Sequence, residues 1–312
     1  MKILVELPTW LGDAVMATPA LESLFLAYPE AKITLFGSYA ATEALKAHPR
    51  VVKVVVDKSK DRGFRALNIY KTAKGLGSFD LAISFRSHIY SKLLLFFTGS
   101  DKRYAYKKEK IASRHQVLRY QDFINSVTKR KDCPGPLKLY HQNKVLDRPT
   151  LGINPGATYG SAKRWYPEKF AEVAAAFADR FDIVIFGGPS ERNIANEIET
   201  VLKKRGVENI SNLAGKTDIA QLCSLIGGLD LFITGDSGPM HIAAAYKIPT
   251  VAIFGPTKHD ETSQWMNEKS LIVRHDIECA PCMKRTCPLK THECMKSIEA
   301  KEVIYAAKRL LS

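Results

Sequence analysis

Apolar and polar positions along the chain fall into short runs and helical stripes that take turns. "KILVEL" (2–7), "KITLFGS" (32–38) and "VVKVVVD" (51–57) have the length and content of buried strands. Between them, apolar residues recur at helical spacing from Ala14 to Leu26, and "TEALKAHP" (42–49) predicts a short helix. "FDLAISFRSH" (79–88) predicts a fourth strand that ends in polar residues. Residues 132–149, with Pro134, Gly135, Pro136 and Pro149, interrupt the pattern as a linker does. The alternation then restarts. Strands are expected at 150–156, 182–188, 231–238 and 249–255, and helices at 167–181, 190–206, 218–230, 239–247 and 300–312. Strand–helix alternation predicts a parallel sheet covered by helices on both faces. It occurs twice, which predicts two doubly wound α/β domains, 1–149 and 150–312, facing a central cleft. The last helix, 300–312, is left free to pack back on the first domain.

Composition narrows the class. The chain has 312 residues, too many for one small core, and its 46% hydrophobic and 25% charged content is that of a globular protein. No apolar run approaches the roughly 18 residues that span a bilayer. The opening "MKILVELP" has too short an apolar run for a signal peptide. A cytoplasmic location is expected, with the six cysteines reduced or metal-bound. Net charge is +14, unevenly spread. Residues 1–150 hold 26 Lys and Arg against 13 Asp and Glu, and residues 151–312 hold 20 against 19. A basic half beside a nearly neutral one points to an anionic partner, with nucleic acid, an anionic membrane face and a phosphorylated substrate all open.

Three strand-to-helix turns carry candidate chemistry. In open α/β sheets ligands sit beyond the carboxyl ends of the strands, where helix N-termini offer free N–H groups and about half a positive charge. In "NPGATYGSAKRWYPEKF" (154–170), Gly156, Ala157, Gly160, Ser161 and Ala162 remove bulk, and Lys163 and Arg164 add charge, as a diphosphate site requires. The alternative is a surface loop with two solvated cations. "TGDSGPMH" (234–241) is a second such turn, with Asp236 at the strand end and His241 one turn into the helix. "PTWLGDAVM" (8–16) places Asp13 at or near a helix start, as an N-cap or as a base. Its single glycine, without G-x-G-x-x-G, disfavours a dinucleotide-binding dehydrogenase.

"LPTWLGDAVMATPAL", "NPGATYGSAKRWYPEKFAEVA", "VIFGGPSE", "LAGKTDIAQL" and "GDSGPMHIAAAYKIPTVAIFGPT" resemble, in order, the motifs of the ADP-heptose:lipopolysaccharide heptosyltransferases. The resemblance spans nearly the whole chain and implies an inverting, metal-independent transferase of GT-B architecture. "GSAKRWYPEKF" and the late cysteine run look most similar to the heptosyltransferase II branch, with branches I and III as alternatives. It implies no required cofactor, ADP-heptose as donor, a lipid A–core acceptor, no nucleic acid, and peripheral attachment to the cytoplasmic face of the inner membrane. Asp13 matches the family's proposed base, and Thr158 and Lys163 match diphosphate contacts. Glu191 matches the acid that binds ribose, and Asp236 the residue that holds donor hydroxyls. Tyr159, Arg164, Ser237, Gly238 and His241 fall in the same motifs. Arg62, Arg65, Arg86, Lys102 and Arg103 are candidate acceptor contacts from the basic half, and "ASRHQVLRY" (112–120) adds Arg114 and His115 by resemblance.

"CAPCMKRTCPLKTHEC" brings Cys279, Cys282, Cys287 and Cys294 close together, with His292 beside them. The spacing is compatible with a structural zinc but tighter than paired C-x-x-C sites, and reduced structural thiols are the other reading. Two rival functions stand at this point. A basic nucleic-acid-binding protein lacks a recognisable module, and another nucleotide-sugar enzyme, such as an epimerase, would share the architecture.

Overall fold

The computed structural model describes residues 1–61, 63–108 and 113–312, and they form two compact units, 1–140 and 141–312. The first unit runs β1 (Lys2–Glu6), α1 (Leu11–Met16), α2 (Thr18–Ala27), β2 (Lys32–Gly37), α3 (Tyr39–Leu45) and β3 (Val51–Val56). It continues with α4 (Arg65–Leu76), β4 (Leu81–Ser84), α5 (Ile89–Phe97), β5 (Lys102–Ala105) and α6 (Gln116–Thr128). Its sheet is parallel, in the order β3-β2-β1-β4-β5. Leu4, Phe36 and Ala82 on one sheet face pack against Ile69 and Ala73 of α4 and Leu94 and Leu95 of α5. The expected helix from Ala14 to Leu26 is broken into α1 and α2. Pro19 lies in the first turn of α2, where it has no N–H to give and its ring excludes the carbonyl four residues back. That carbonyl, on Val15, accepts instead from the Thr18 hydroxyl at 2.7 Å.

The second unit runs β6 (Thr150–Asn154), α7 (Pro167–Ala175), β7 (Asp182–Ile185), α8 (Arg192–Lys204), β8 (Ile210–Asn212) and α9 (Ile219–Gly227). It continues with β9 (Leu231–Gly235), α10 (Gly238–Ala245), β10 (Thr250–Ile253), α11 (His259–Thr262), β11 (Ser270–Val273), α12 (Glu293–Lys296) and α13 (Ala300–Leu311). The parallel order is β11-β10-β9-β6-β7-β8. The order in which successive strands are laid down therefore reverses between β6 and β9, and this switch point is where α/β sheets open a crevice. Leu151, Ile153, Leu231 and Ile233 from these strands share a core with Phe170, Phe177 and Phe181.

The division at 140/141 replaces the expected one at 149/150, because residues 141–148 dock on the second unit. Lys144 N–H donates to the Ser224 carbonyl at 2.9 Å, and Tyr246 donates its hydroxyl to the His141 carbonyl at 3.0 Å. Gly227 and Gly228 leave room for this strip, since a Cβ on either would run into Asn143 or the Lys144 carbonyl. The closing helix α13 gives Val303, Ala306 and Ala307 to the core of its own unit.

Leu94→Ala should destabilise the first unit by about 2–5 kcal/mol, because Leu94 is fully buried between α5 and the sheet and the site cannot collapse around the void. Denaturant unfolding followed by circular dichroism measures the loss.

Candidate functional site

The carboxyl ends of β6 and β9 lie side by side, with Asn154 opposite Thr234. A polar cluster is built on them. Asp236, just past β9, is buried, and its Oδ2 accepts from Lys163 Nζ at 2.5 Å and from Thr257 Oγ1 at 2.6 Å. Lys163 ends a single 3₁₀ turn, Ser161–Lys163, in the loop that leaves β6. Asn154 stitches the two loops, donating from Nδ2 to Ser237 Oγ at 3.1 Å and to the Gly156 carbonyl at 3.4 Å. Gly238 opens α10 and His241 is buried in its first turns. Thr158 is exposed in the loop. The Tyr159 ring is close to two cations, with Lys163 Nζ 4.7 Å and the Arg285 guanidinium 5.4 Å from its centre. Arg164 Nε is buried with no acceptor among the described residues. A buried nitrogen of this kind is costly unless something fills its valence.

Glu191 is buried at the end of a short 3₁₀ turn, Pro189–Glu191, and its Oε2 accepts from Gly188 N–H at 2.7 Å. Its carboxylate rests against Gly156, where any Cβ would collide with it. That glycine is therefore required by a carboxylate 35 positions further along the chain. The structure thus brings Glu191, the Gly156 turn, Lys163 and Asp236 into one neighbourhood at the switch point.

The cysteine run does something the sequence did not indicate. Cys279, Cys282, Cys287, Cys294 and His292 line one pocket together with Ala162 and Pro256. All six cysteines are free thiols, and among the described residues no group of three or more His, Cys, Asp or Glu is arranged to hold a metal ion. The loop buttresses the lysine turn. Ala162 N–H donates to the Arg285 carbonyl at 3.0 Å, and the Tyr159 hydroxyl donates to the Met283 carbonyl at 2.7 Å. His292 Nε2 lies 2.9 Å from the Ala162 carbonyl, and Nδ1 lies 3.2 Å from the Tyr166 hydroxyl. A carbonyl only accepts, so Nε2 carries a proton; in the neutral ring Nδ1 then accepts from the phenol. Gly160 has no room for a side chain beside the Arg285 carbonyl.

With this geometry in hand, the comparisons with known proteins are decisive. Residues 135–293 match the model of glycosyltransferase family 9 (heptosyltransferase). The Campylobacter jejuni protein named lipooligosaccharide heptosyltransferase 2 is 46% identical, covering 100% of this chain and 98% of its own. Escherichia coli lipopolysaccharide heptosyltransferase 2 is 30% identical over 88% of each chain.

The chain belongs to glycosyltransferase family 9, the heptosyltransferases.

Among solved structures, that of E. coli ADP-heptose lps heptosyltransferase II superposes with a TM-score of 0.81 at 26% identity, covering 100% of this chain and 98% of its own. The E. coli heptosyltransferase WaaC solved with ADP shares the fold at a TM-score of 0.78 and 15% identity. GT-B architecture, expected from the resemblance, is thereby shown.

In the first unit of this glycosyltransferase, the residues singled out from sequence are placed unevenly. Asp13 lies in the first turn of α1, where the N-cap is Trp10 and makes no side-chain cap bond. Asp13 is thus inside the helix rather than capping it. It faces Tyr120 of α6; burial first, then the nearby Asp13 charge, hold that phenol well above its usual range. Arg86 is committed to the fold, with Nη1 at 3.3 Å from Glu6 and 3.4 Å from Asp57, and Nε donating to the Leu7 carbonyl at 2.7 Å. Burial nevertheless keeps the Glu6 carboxyl above its ordinary range. His115 is the buried N-cap of α6 and accepts from Val117 N–H at 3.2 Å. Arg114 pairs with Asp122 at 2.6 Å, and Arg65 stacks 4.1 Å above the Tyr90 ring. Lys102 and Arg103 are exposed on the edge strand β5. Arg62 lies outside the described residues.

Three site residues were not singled out from the sequence: Asn154, Thr257 and Arg285. Asn154 had a signal, a polar residue ending a strand before a glycine turn. The other two are distant from it in sequence, and their contacts to Asp236 and to the lysine turn form only in the fold.

Thiol reactivity offers a check on the cysteine loop. Backbone N–H donors, that of His292 foremost, lower the Cys287 thiol, whereas burial and neighbouring thiols push Cys294 up to about 11, and burial pushes Cys223 up to about 12. Substoichiometric iodoacetamide at neutral pH should label Cys287 well before Cys294 or Cys223, as read by peptide mass spectrometry.

Proposed function

We propose that this chain transfers L-glycero-D-manno-heptose from ADP-heptose to a heptose of the lipopolysaccharide inner core, the heptosyltransferase II reaction. The named relatives from C. jejuni and E. coli support the class. The observation that carries the donor side is the pairing of half-buried Lys163 with buried Asp236 at the β6–β9 switch point, with Thr257 holding the carboxylate. Lys163 Nζ donates to Asp236 Oδ2 and, at 3.4 Å, to the Asp236 carbonyl, which leaves its third N–H for a ligand. It is fixed where a leaving diphosphate would gather charge. Asp236 keeps lone pairs for donor hydroxyls, and Glu191 keeps Oε1 for ribose. Thr158, Tyr159, Arg164, Ser237, Gly238 and His241 complete the donor contacts.

Asp13 acts as the base in this reading. The acceptor hydroxyl loses its proton to Asp13 as its oxygen bonds to the anomeric carbon. The bond from that carbon to the β-phosphate oxygen breaks on the opposite side, and ADP leaves with inversion. Lys163 and the helix N-termini stabilise the departing charge, which is why no divalent metal is required. The acceptor, a phosphorylated and acidic lipid, accounts for the positive excess of residues 1–150. Its lipid anchor would hold the enzyme peripherally on the inner leaflet.

Asp13→Asn should cut turnover by about 10²–10⁴-fold, the usual weight of a general base, with ADP affinity and melting temperature nearly unchanged. Near wild-type turnover in the folded variant would place the base elsewhere. Lys163→Ala should lower turnover by about 10²–10³-fold and weaken ADP binding. It should also destabilise the second unit by roughly 3–5 kcal/mol, because Asp236 stays buried without its cation. Radiolabelled transfer, ADP titration and thermal melts on both variants separate these effects.

Full turnover should survive EDTA. Activity that is lost in EDTA and restored by Mg²⁺ or Mn²⁺ would show that Lys163 does not replace a metal. Transfer to a core acceptor already bearing heptose, and none to a heptose-free acceptor, is the outcome that separates branch II from branch I.

A further inference from the structure

The outer face of the α4–α5 layer gathers exposed apolar residues and cations together. Ile69 and Ala73 turn α4 toward the sheet, and Leu94 and Leu95 do the same for α5. The opposite faces carry large apolar residues in water: Phe64, just before α4, is 75% exposed, Ile89 58% and Phe96 61%, and Leu67 and Tyr70 are also exposed. On α4 these recur with Lys71 and Lys74 at 64, 67, 70, 71 and 74, one helical stripe; on α5 Ile89, Lys92 and Phe96 form another. Tyr70 and Phe97 meet edge to face at 5.2 Å, so the two helices form one continuous layer.

The charge on this layer has one sign. Arg65, Lys71, Lys74 and Lys92 lie on the two helices, and neither helix contains an acidic residue. Lys102 and Arg103 extend the cations along edge strand β5, and Lys107 and Lys108 follow, all exposed. Two cations also lie over exposed rings, with Lys74 Nζ 5.8 Å from the Tyr70 centre and the Arg103 guanidinium 5.4 Å from that of Phe96. Exposed apolar groups with ammonium and guanidinium groups around them suit a bilayer interface, where rings enter the headgroup region and cations meet lipid phosphates. A nucleic acid would use the charge but not Phe64, Leu67 and Ile89, and a second copy of this chain would bring like charge against like.

We propose that the exposed α4–α5 face is the surface by which this enzyme docks on an anionic lipid bilayer. The proposal extends the reading above, in which the acceptor is anchored in a leaflet, by naming the face that meets the leaflet. No helix among the described residues is long and apolar enough to cross a membrane, so docking here is interfacial.

Sedimentation with vesicles tests it directly. The full chain should bind phosphatidylglycerol-containing vesicles and not pure phosphatidylcholine, and binding should fall with added salt. Lys71→Gln/Lys74→Gln should weaken partitioning by roughly tenfold or more, given the usual weight of each cation near an anionic leaflet. Phe64→Ser/Phe96→Ser should weaken it by a similar factor. All four residues are exposed, so melting temperature and transfer to a water-soluble core acceptor should be unchanged in both variants. Absent binding to anionic vesicles, or equal binding by wild type and both variants, overturns the proposal. So does a wild-type dimer in sedimentation velocity that Phe64→Ser/Phe96→Ser dissociates, since a second copy would then cover the face. Vesicle binding needs no turnover, so a chain that binds vesicles but transfers no heptose would sink the assigned reaction and leave this surface standing.

Discussion

A half-buried lysine and a buried aspartate, 73 residues apart, neutralise each other at the end of a parallel sheet, and the loops around them are arranged to make that possible. Charges taken out of water are tolerated only when paired and hydrogen-bonded. Asp236 meets the condition through Lys163 and Thr257. Lys163 meets it only if its loop returns to β9, and the loop is made to return. Asn154 ties the two strand exits to each other, Gly156 gives way to Glu191, and the Arg285 and Met283 carbonyls hold Ala162 and Tyr159. A preformed cation at a leaving-group position costs no reorganisation when charge develops, which is the physical advantage of fixing it beforehand.

The cysteine-rich loop belongs to this support. Cysteines at this spacing are compatible with a structural metal or with reduced structural thiols. In the fold they line a pocket behind the lysine turn, and the polar work is done by backbone carbonyls and by His292. His292 adopts a left-handed backbone and bonds from both ring nitrogens, to Ala162 and Tyr166. A role of this kind depends on where a loop lands, and composition carries no record of that.

The first unit divides its positive charge by location. Arg86 and Arg114 satisfy acids of their own unit, and His115 caps a helix. Among the cations that face solvent, Lys71, Lys74, Lys92, Lys102 and Arg103 lie on α4, α5 and β5, where apolar side chains are exposed as well. Charge counted along the sequence treats these groups alike, although only the exposed ones contribute a field that a partner can use.

The sequence by itself determined the two-unit α/β plan, most of the central strands and the turns that hold Asp13, Lys163, Glu191 and Asp236. Buried parallel strands are nearly continuous apolar runs, and glycine-rich turns must follow them, so both leave local marks. Edge strands β5, β8 and β11 left none, being short and half-solvated, and α5 was hidden because its apolar residues run almost without interruption. Other features were decided only when the chain closed on itself: the division at 140/141, the pairing of Lys163 with Asp236, the carboxylate that explains Gly156, and the withdrawal of Arg86 into the fold. The reason is common to all four. Each depends on a contact between residues far apart in sequence, and hydrophobic periodicity and turn chemistry report only on near neighbours.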